Sequence, residues 1–275
     1  IQPFLWNRGP RVSITTKRGR VGRVAVNVFA GFGFLYLFLP IAFIVAFSFN
    51  QPKGKFNIVW QKFTLENWTD PFSDTALTDA FVTSLQIAAI STLIATIFGS
   101  MIAIALSRYR FRGSAVYNFL LVLPLTTPEI VLGSSLATLF LGQSVIEFGF
   151  TTIVIAHAMF QISFVALTVR ARIRGFDWTL EQAAQDLGAS PMRTFWKITF
   201  PLILPGILAA SLLAFALSLD DFIITFFNSG STLTFPLRIF GASRVELPPQ
   251  INVLATVILV VTIAILGVGS VIGQR

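Results

Sequence analysis

No cysteine occurs in the 275 residues, and there is a single histidine, His157. The first absence excludes structural disulfides and thiolate-ligated metals, and leaves the redox compartment unreadable. The second rules out a zinc site short of an unusual carboxylate set. Charge is scarce as well: Asp, Glu, Lys and Arg make up 12% of the chain, against 55% hydrophobic residues, 29 of them Phe. A soluble domain carries about a quarter of its residues charged. With a mean hydropathy of +0.79, the chain reads instead as an all-α polytopic membrane protein. Catalytic constellations are missing too. No Ser/His/Asp grouping stands out, and no Gly-x-x-x-x-Gly-Lys-[Ser/Thr] occurs, since the only Gly-Lys, Gly54-Lys55, is followed by Phe56. The chain therefore has no P-loop for ATP.

Positive charge is plentiful relative to negative, with 20 Lys and Arg against 12 acids. Residues 1–26 hold Arg8, Arg11, Lys17, Arg18, Arg20 and Arg23 and no acid. This segment reads as a cytoplasmic flank held against anionic lipid rather than a nucleic-acid-binding arm. The chain opens Ile1-Gln2-Pro3 without a Met, so the numbered sequence is expected to start inside a longer reading frame. A second unit, 27–275, reads as six transmembrane helices with no internal linker. The apolar run at about 27–49 is too long for a cleavable signal core and long enough to cross a bilayer.

Helix two is expected at about 80–106 and helix three at about 115–141, bent by Pro124 and Pro128. Helices four, five and six follow at about 150–169, 204–227 and 251–272. Fifteen of the twenty Lys and Arg then fall on one side, which predicts both termini in the cytoplasm.

Three acids lie at membrane depth in this layout: Glu129 in helix three and the pair Asp220-Asp221 in helix five. An ionised carboxylate there costs at least about 2 kcal/mol unless it meets a wet cavity or a cation, so the three are candidates for a substrate path. The alternative is that the pair belongs to the outer interface and ends the helix. Against this, Phe222 to Phe227 continue largely apolar beyond it. Adjacent residues on a helix diverge by about 100°, so one of the pair should face the path and the other a neighbouring helix or the aqueous rim. His157 is expected to pack on a polar neighbour rather than bind a ligand.

A polar insert at about 175–203 interrupts the hydrophobic pattern. Thr179 and Gln182 offer a capping box, and an Ala-rich helix runs to a left-handed stop at Gly188. Ser190 then caps a second short helix that starts at Pro191, with Pro201 and Pro205 closing the insert.

Gln182-Ala183-Ala184, then Gly188, then Ile198-Thr199-Phe200-Pro201 resembles the signature loop of permease subunits of type I ABC importers. That pattern runs Glu-Ala-Ala, three residues, Gly, nine residues, Ile-x-Leu-Pro. Gln182 stands where the family has Glu, with Glu181 one residue earlier, and Phe200 stands for Leu. The resemblance implies that Glu181, Gln182, Ala183, Ala184 and Gly188 form a coupling helix seated in a groove of a separate ATPase dimer. That dimer would hold ATP and Mg2+, with no cofactor in this chain. It implies two further partners, a second homologous permease and an extracytoplasmic solute-binding protein, and no catalytic or metal-binding residues.

Leu217-Ser218-Leu219-Asp220-Asp221-Phe222, Pro128-Glu129-Ile130-Val131, His157 and Gly175-Phe176-Asp177 are similar to the spermidine/putrescine branch. This implies a cationic, flexible substrate imported by alternating access. Iron(III) or another cation is the alternative cargo, and a proton-coupled carrier with Glu129, Asp220 and Asp221 as its relay is the alternative mechanism.

Overall fold

The computed structural model describes residues 17–109, 111–143 and 146–273. Arg8 and Arg11 of the basic flank, and part of the turn at 143–149, lie outside the described residues. The core is a three-helix contact of α3 (Thr75–Arg108), α6 (Phe150–Ile173) and α9 (Phe200–Asp220). Small residues set its spacing. Ala95, Ala103, Ala210 and Ala214 are fully buried against Val165 and Val169. At Gly99 a methyl group would sit 2.8 Å from Val165 Cβ, so only glycine permits this approach of α3 to α6. Such close crossings hold membrane helices together where burial from water contributes little.

Around this core, α1 (Lys17–Phe47) packs on α12 (Pro249–Gly273), while Phe29 and Phe32 remain largely exposed. By length and composition four helical stretches cross a membrane: Val24–Phe47, Thr75–Arg108, Phe150–Ile173 and Pro191–Asp220. The bent pair α4 (Ser114–Thr126) and α5 (Glu129–Gln143) forms either a broken fifth span or a re-entrant loop, and α12 supplies the shorter apolar stretch Pro249–Ala264. Beyond α1, residues 50–74 form an ordered polar cap rather than a loose loop. Asn50 is buried and donates to Asn57 Oδ1 at 2.7 Å, and Asn67 donates to the carbonyls of Ser48 and Asn50 ahead of the short α2 (Glu66–Thr69). The cap meets the far end of the chain where Phe56 bridges to Leu247.

Two of the predicted helices are interrupted more sharply than the sequence suggested. The third is not one bent helix but two, turned by 108° at Thr127-Pro128. The ring of Pro128 forces the preceding residue into extended backbone, and Thr127 has ψ 131° accordingly. The fifth does not run on to residue 227. It stops at Asp220, Asp221 is extended, and a separate short helix α10 (Ile223–Asn228) follows.

The fifth helix also begins earlier than expected. α8 (Pro191–Thr194) runs through a π-turn at Phe195–Thr199 directly into α9. Pro201 and Pro205 therefore lie within one continuous rod instead of closing the insert. The wider turn accommodates the missing N–H of Pro201 two residues after it ends.

Candidate substrate path and docking loop

Both interruptions carry acids, and they lie against one another. α10 packs on α5, where Asn228 donates to the carbonyl of Gly133 at 3.2 Å. Glu129 occupies the first turn of α5, exposed at the bend, on the helix that packs against α10. Asp220 is exposed at the end of α9 and borders a groove of about 500 Å³. Phe222, and Phe240 from α11 (Phe235–Ala242), line the same groove, their ring centroids 4.8 Å apart.

Asp221 turns the other way. Its side chain is 11% exposed and accepts from the backbone N–H and the hydroxyl of Thr225 at 2.8 and 2.9 Å. His157 Nε2 approaches the same oxygen at 3.2 Å and Thr225 Oγ1 at 2.9 Å, while His157 Nδ1 lies 2.7 Å from Ser218 Oγ. These contacts are satisfied by an imidazole protonated on Nε2, donating towards Asp221 while Ser218 donates to Nδ1. The chain continues through Ser91 to Gln161 and Thr92, so α3, α6 and α9 share one buried polar network ending at the break. Neighbouring acids thus have separate fates, one held inside the protein and one left at a groove.

The polar insert is organised in the opposite sense. α7 (Thr179–Asp186) is not started by the Thr179 capping box. Asp177 Oδ1 instead accepts from the backbone N–H and the hydroxyl of Thr179 at 3.0 and 2.8 Å. The hydroxyl bond first, and then the amide bond, hold its carboxyl below the usual range. α7 ends in a Schellman motif: Gly188 has φ +84°, its N–H reaches Gln185 O, and Ala189 N–H reaches Ala184 O. Ser190 accepts from Arg193 N–H and Pro191 sits in the first turn of α8, as the sequence predicts.

Of the residues singled out in this insert, Glu181 is the one facing inward. It is 5% exposed, pairs with Arg108 Nη2 at 2.8 Å, and accepts from Thr199 Oγ1. The Arg108 guanidinium also lies over the Trp178 ring, 5.9 Å from its centroid. Gln182, Ala183 and Gly188 are exposed and Ala184 is partly so. Around them stand large apolar side chains with no cover: Leu187 at 89%, Met192 at 68% and Trp196 at 56% exposure.

A protein-family comparison matches residues 95–274 to the binding-protein-dependent transport system inner membrane component. The chain is a permease subunit of this importer family. The permease is 36% identical to the spermidine/putrescine transport system permease protein PotC of Haemophilus influenzae, over 90% of this chain and 96% of that relative. It is 38% identical to the putrescine transport system permease protein PotI of Escherichia coli K12, over 82% and 83% of the two chains. Among solved structures, a bacterial ABC transporter involved in the import of the acidic polysaccharide alginate superposes with a TM-score of 0.67. At 17% identity, and with 94% of this chain and 98% of that one covered, the likeness is one of fold.

The permease is accordingly a multi-pass membrane subunit and not an enzyme, with no cofactor of its own and with ATP hydrolysed in a separate subunit. Sequence reasoning singled out the three acids and the insert but missed their partners. Ser218 and Thr225 flank the acid pair within a few residues in an apolar run, a signal that was present and unused. Arg108 and Glu181 are joined only by the fold.

Proposed function

We propose that this permease passes a polyamine inward, using Asp220 as the exposed carboxylate that receives its ammonium groups and Glu129 as the second charge on the path. One observation carries the reading: Asp220 is exposed at a helix break beside the aromatic walls of Phe222 and Phe240, and the short helix that follows the break packs on the helix that opens with Glu129. A carboxylate neutralises an ammonium, ring faces add cation–π attraction, and two separated acids suit a flexible chain with charge at each end. The relatives PotC, a spermidine/putrescine permease, and PotI, a putrescine permease, agree with this cargo. Asp221, held by His157 and Thr225, fixes the break so that Asp220 stays at the groove.

Coupling to ATP hydrolysis passes through the insert. Leu187, Met192 and Trp196 form an apolar docking face around Gln182, Ala183, Ala184 and Gly188, and Glu181 fastens that face to α3 through Arg108. In this reading both termini lie in the cytoplasm. The complete importer adds two ATPase copies, a second and different permease, and an extracytoplasmic binding protein.

The test is co-purification from the native membrane followed by putrescine uptake into reconstituted vesicles supplied with ATP. Uptake that persists when the proton gradient is collapsed, and stops when ATP is withdrawn, fits the proposal. Uptake that follows the proton gradient instead overturns it.

A further inference from the structure

At the end of the molecule that bears the insert, a second cavity of about 340 Å³ opens between the C-terminal ends of α3 and α6 and the start of α4. It belongs neither to the groove at Asp220 nor to the apolar docking face. Arg170 and Arg174 line it, with the side chains of Ser107, Tyr109, Ser114 and Trp178. No carboxylate lines it among the described residues, and of the two insert acids closest in sequence to Trp178, Glu181 is engaged by Arg108 and Asp177 by Thr179.

Three features make this more than the basic fringe of a membrane helix. Arg170 is fixed in place: Nη1 donates to Asn118 Oδ1, and Asn118 Nδ2 in turn donates to the carbonyl of Ser114 at 2.7 Å. That contact uses one of five guanidinium N–H groups. Ser107 also lines the cavity, and its hydroxyl is buried with no hydrogen-bond partner. Finally, the thirteen-residue helix α4 begins at Ser114 on a left-handed glycine, Gly113, that supplies no side-chain cap, so the positive end of its dipole meets the cavity wall.

We propose that this cavity binds a phosphate-bearing anion. Two guanidinium groups, a helix N-terminus and several hydroxyls, with no competing carboxylate, match a phosphate in charge and in donor geometry. The volume falls in the range of small-ligand sites. An anionic phospholipid headgroup and a soluble cytoplasmic phosphate share this chemistry. Trp178 joins the cavity to Arg108 and Glu181, so an occupant would brace the insert from behind.

The assembled transporter, purified in detergent with its ATPase, is titrated with phosphatidylglycerol, with phosphatidylcholine and with inorganic phosphate. Bound lipid is counted by native mass spectrometry. The proposal predicts retained phosphatidylglycerol, at least tenfold weaker retention of phosphatidylcholine, and a tenfold or greater loss in Arg170→Gln/Arg174→Gln. Lys53→Gln, an exposed cation of the polar cap, should change retention by less than twofold. Because Arg170 also holds Asn118, Arg174→Gln alone is the second variant, expected to lose severalfold with assembly intact. Displacement of the lipid by millimolar inorganic phosphate supports the site and assigns it to a soluble ligand. Equal retention of the two lipids with no effect of phosphate, or indifference of both variants, overturns it.

Discussion

The helix break at Asp220 and the insert at Glu181 are both polar interruptions of an apolar chain, yet they are built inside out relative to one another. At the break, an acid is left standing in a groove with aromatic walls while its neighbour Asp221 and His157 are satisfied within the protein. In the insert, the acid Glu181 is buried and paired, and it is Leu187, Met192 and Trp196 that stand uncovered. The contrast teaches what each surface is fitted to meet. A free carboxylate among rings suits a small cation, and an apolar face backed by an ion pair suits a protein groove. Charge on a side chain does not by itself mark a contact with a ligand, since two of the acids read from the sequence as functional have their charge satisfied by their own chain.

The contrast can be broken first at the acid pair. Asp221→Ala removes the acceptor of three hydrogen-bonding groups in a buried network, and each buried group left unsatisfied costs about 1–3 kcal/mol. Thermal unfolding of the purified complex should show a drop of several degrees. Asp220→Ala, at the groove, should stay within about 0.5 kcal/mol of wild type. Equal losses for the two would erase the distinction drawn between them.

The next effect is in the insert. Glu181→Ala leaves Arg108 without its carboxylate, but that side chain is 34% exposed and partly hydrated. The cost is therefore about 1–2 kcal/mol rather than that of a fully buried pair. ATPase stimulation should fall with it. Gln182→Ala, on an exposed position, should leave the insert's stability unchanged as read by hydrogen exchange over α7. Greater destabilisation by Gln182→Ala would show that the buried pair does not fasten the docking face.

A change of similar size tests the turn. Gly188→Val places a β-branched side chain at φ +84°, where open space surrounds the site but the backbone disfavours any side chain by about 1–2 kcal/mol. The membrane helices should fold normally while ATPase coupling weakens. Wild-type coupling in this variant would mean that the orientation of α7 and α8 does not govern docking.

Much of this arrangement was legible from residue patterns. Apolar run lengths gave the membrane class and the approximate helices, and Gly188, Ser190 and Pro191 gave the turn and second cap of the insert because those residues act locally. Breaks were less legible. Pro128 signalled a bend, but its angle of 108° depends on α5 packing against α10. Nothing in the run Phe222 to Phe227 announces that α9 has ended, because an apolar sequence serves one long helix or two short ones equally well. Asp177 displaced the expected capping box since an Asx acceptor two residues before an amide competes well with a cap formed inside the helix. The partners of Asp221 and Glu181 are distant in sequence, and only the fold brings them together.

The central claim is that Asp220 and not Asp221 faces the substrate. It is tested most directly by ATP-driven putrescine uptake into vesicles carrying the assembled importer with Asp220→Asn or Asp221→Asn. Both substitutions keep the side-chain volume and remove the charge. An ion pair broken in a partly dehydrated site costs about 2–5 kcal/mol. Asp220→Asn should therefore lose uptake by more than tenfold while ATP hydrolysis by the assembled complex continues. Asp221→Asn should lose it only in proportion to lost assembly. Full uptake by Asp220→Asn at normal abundance in the membrane would contradict the account and leave Glu129 as the remaining acid on the path.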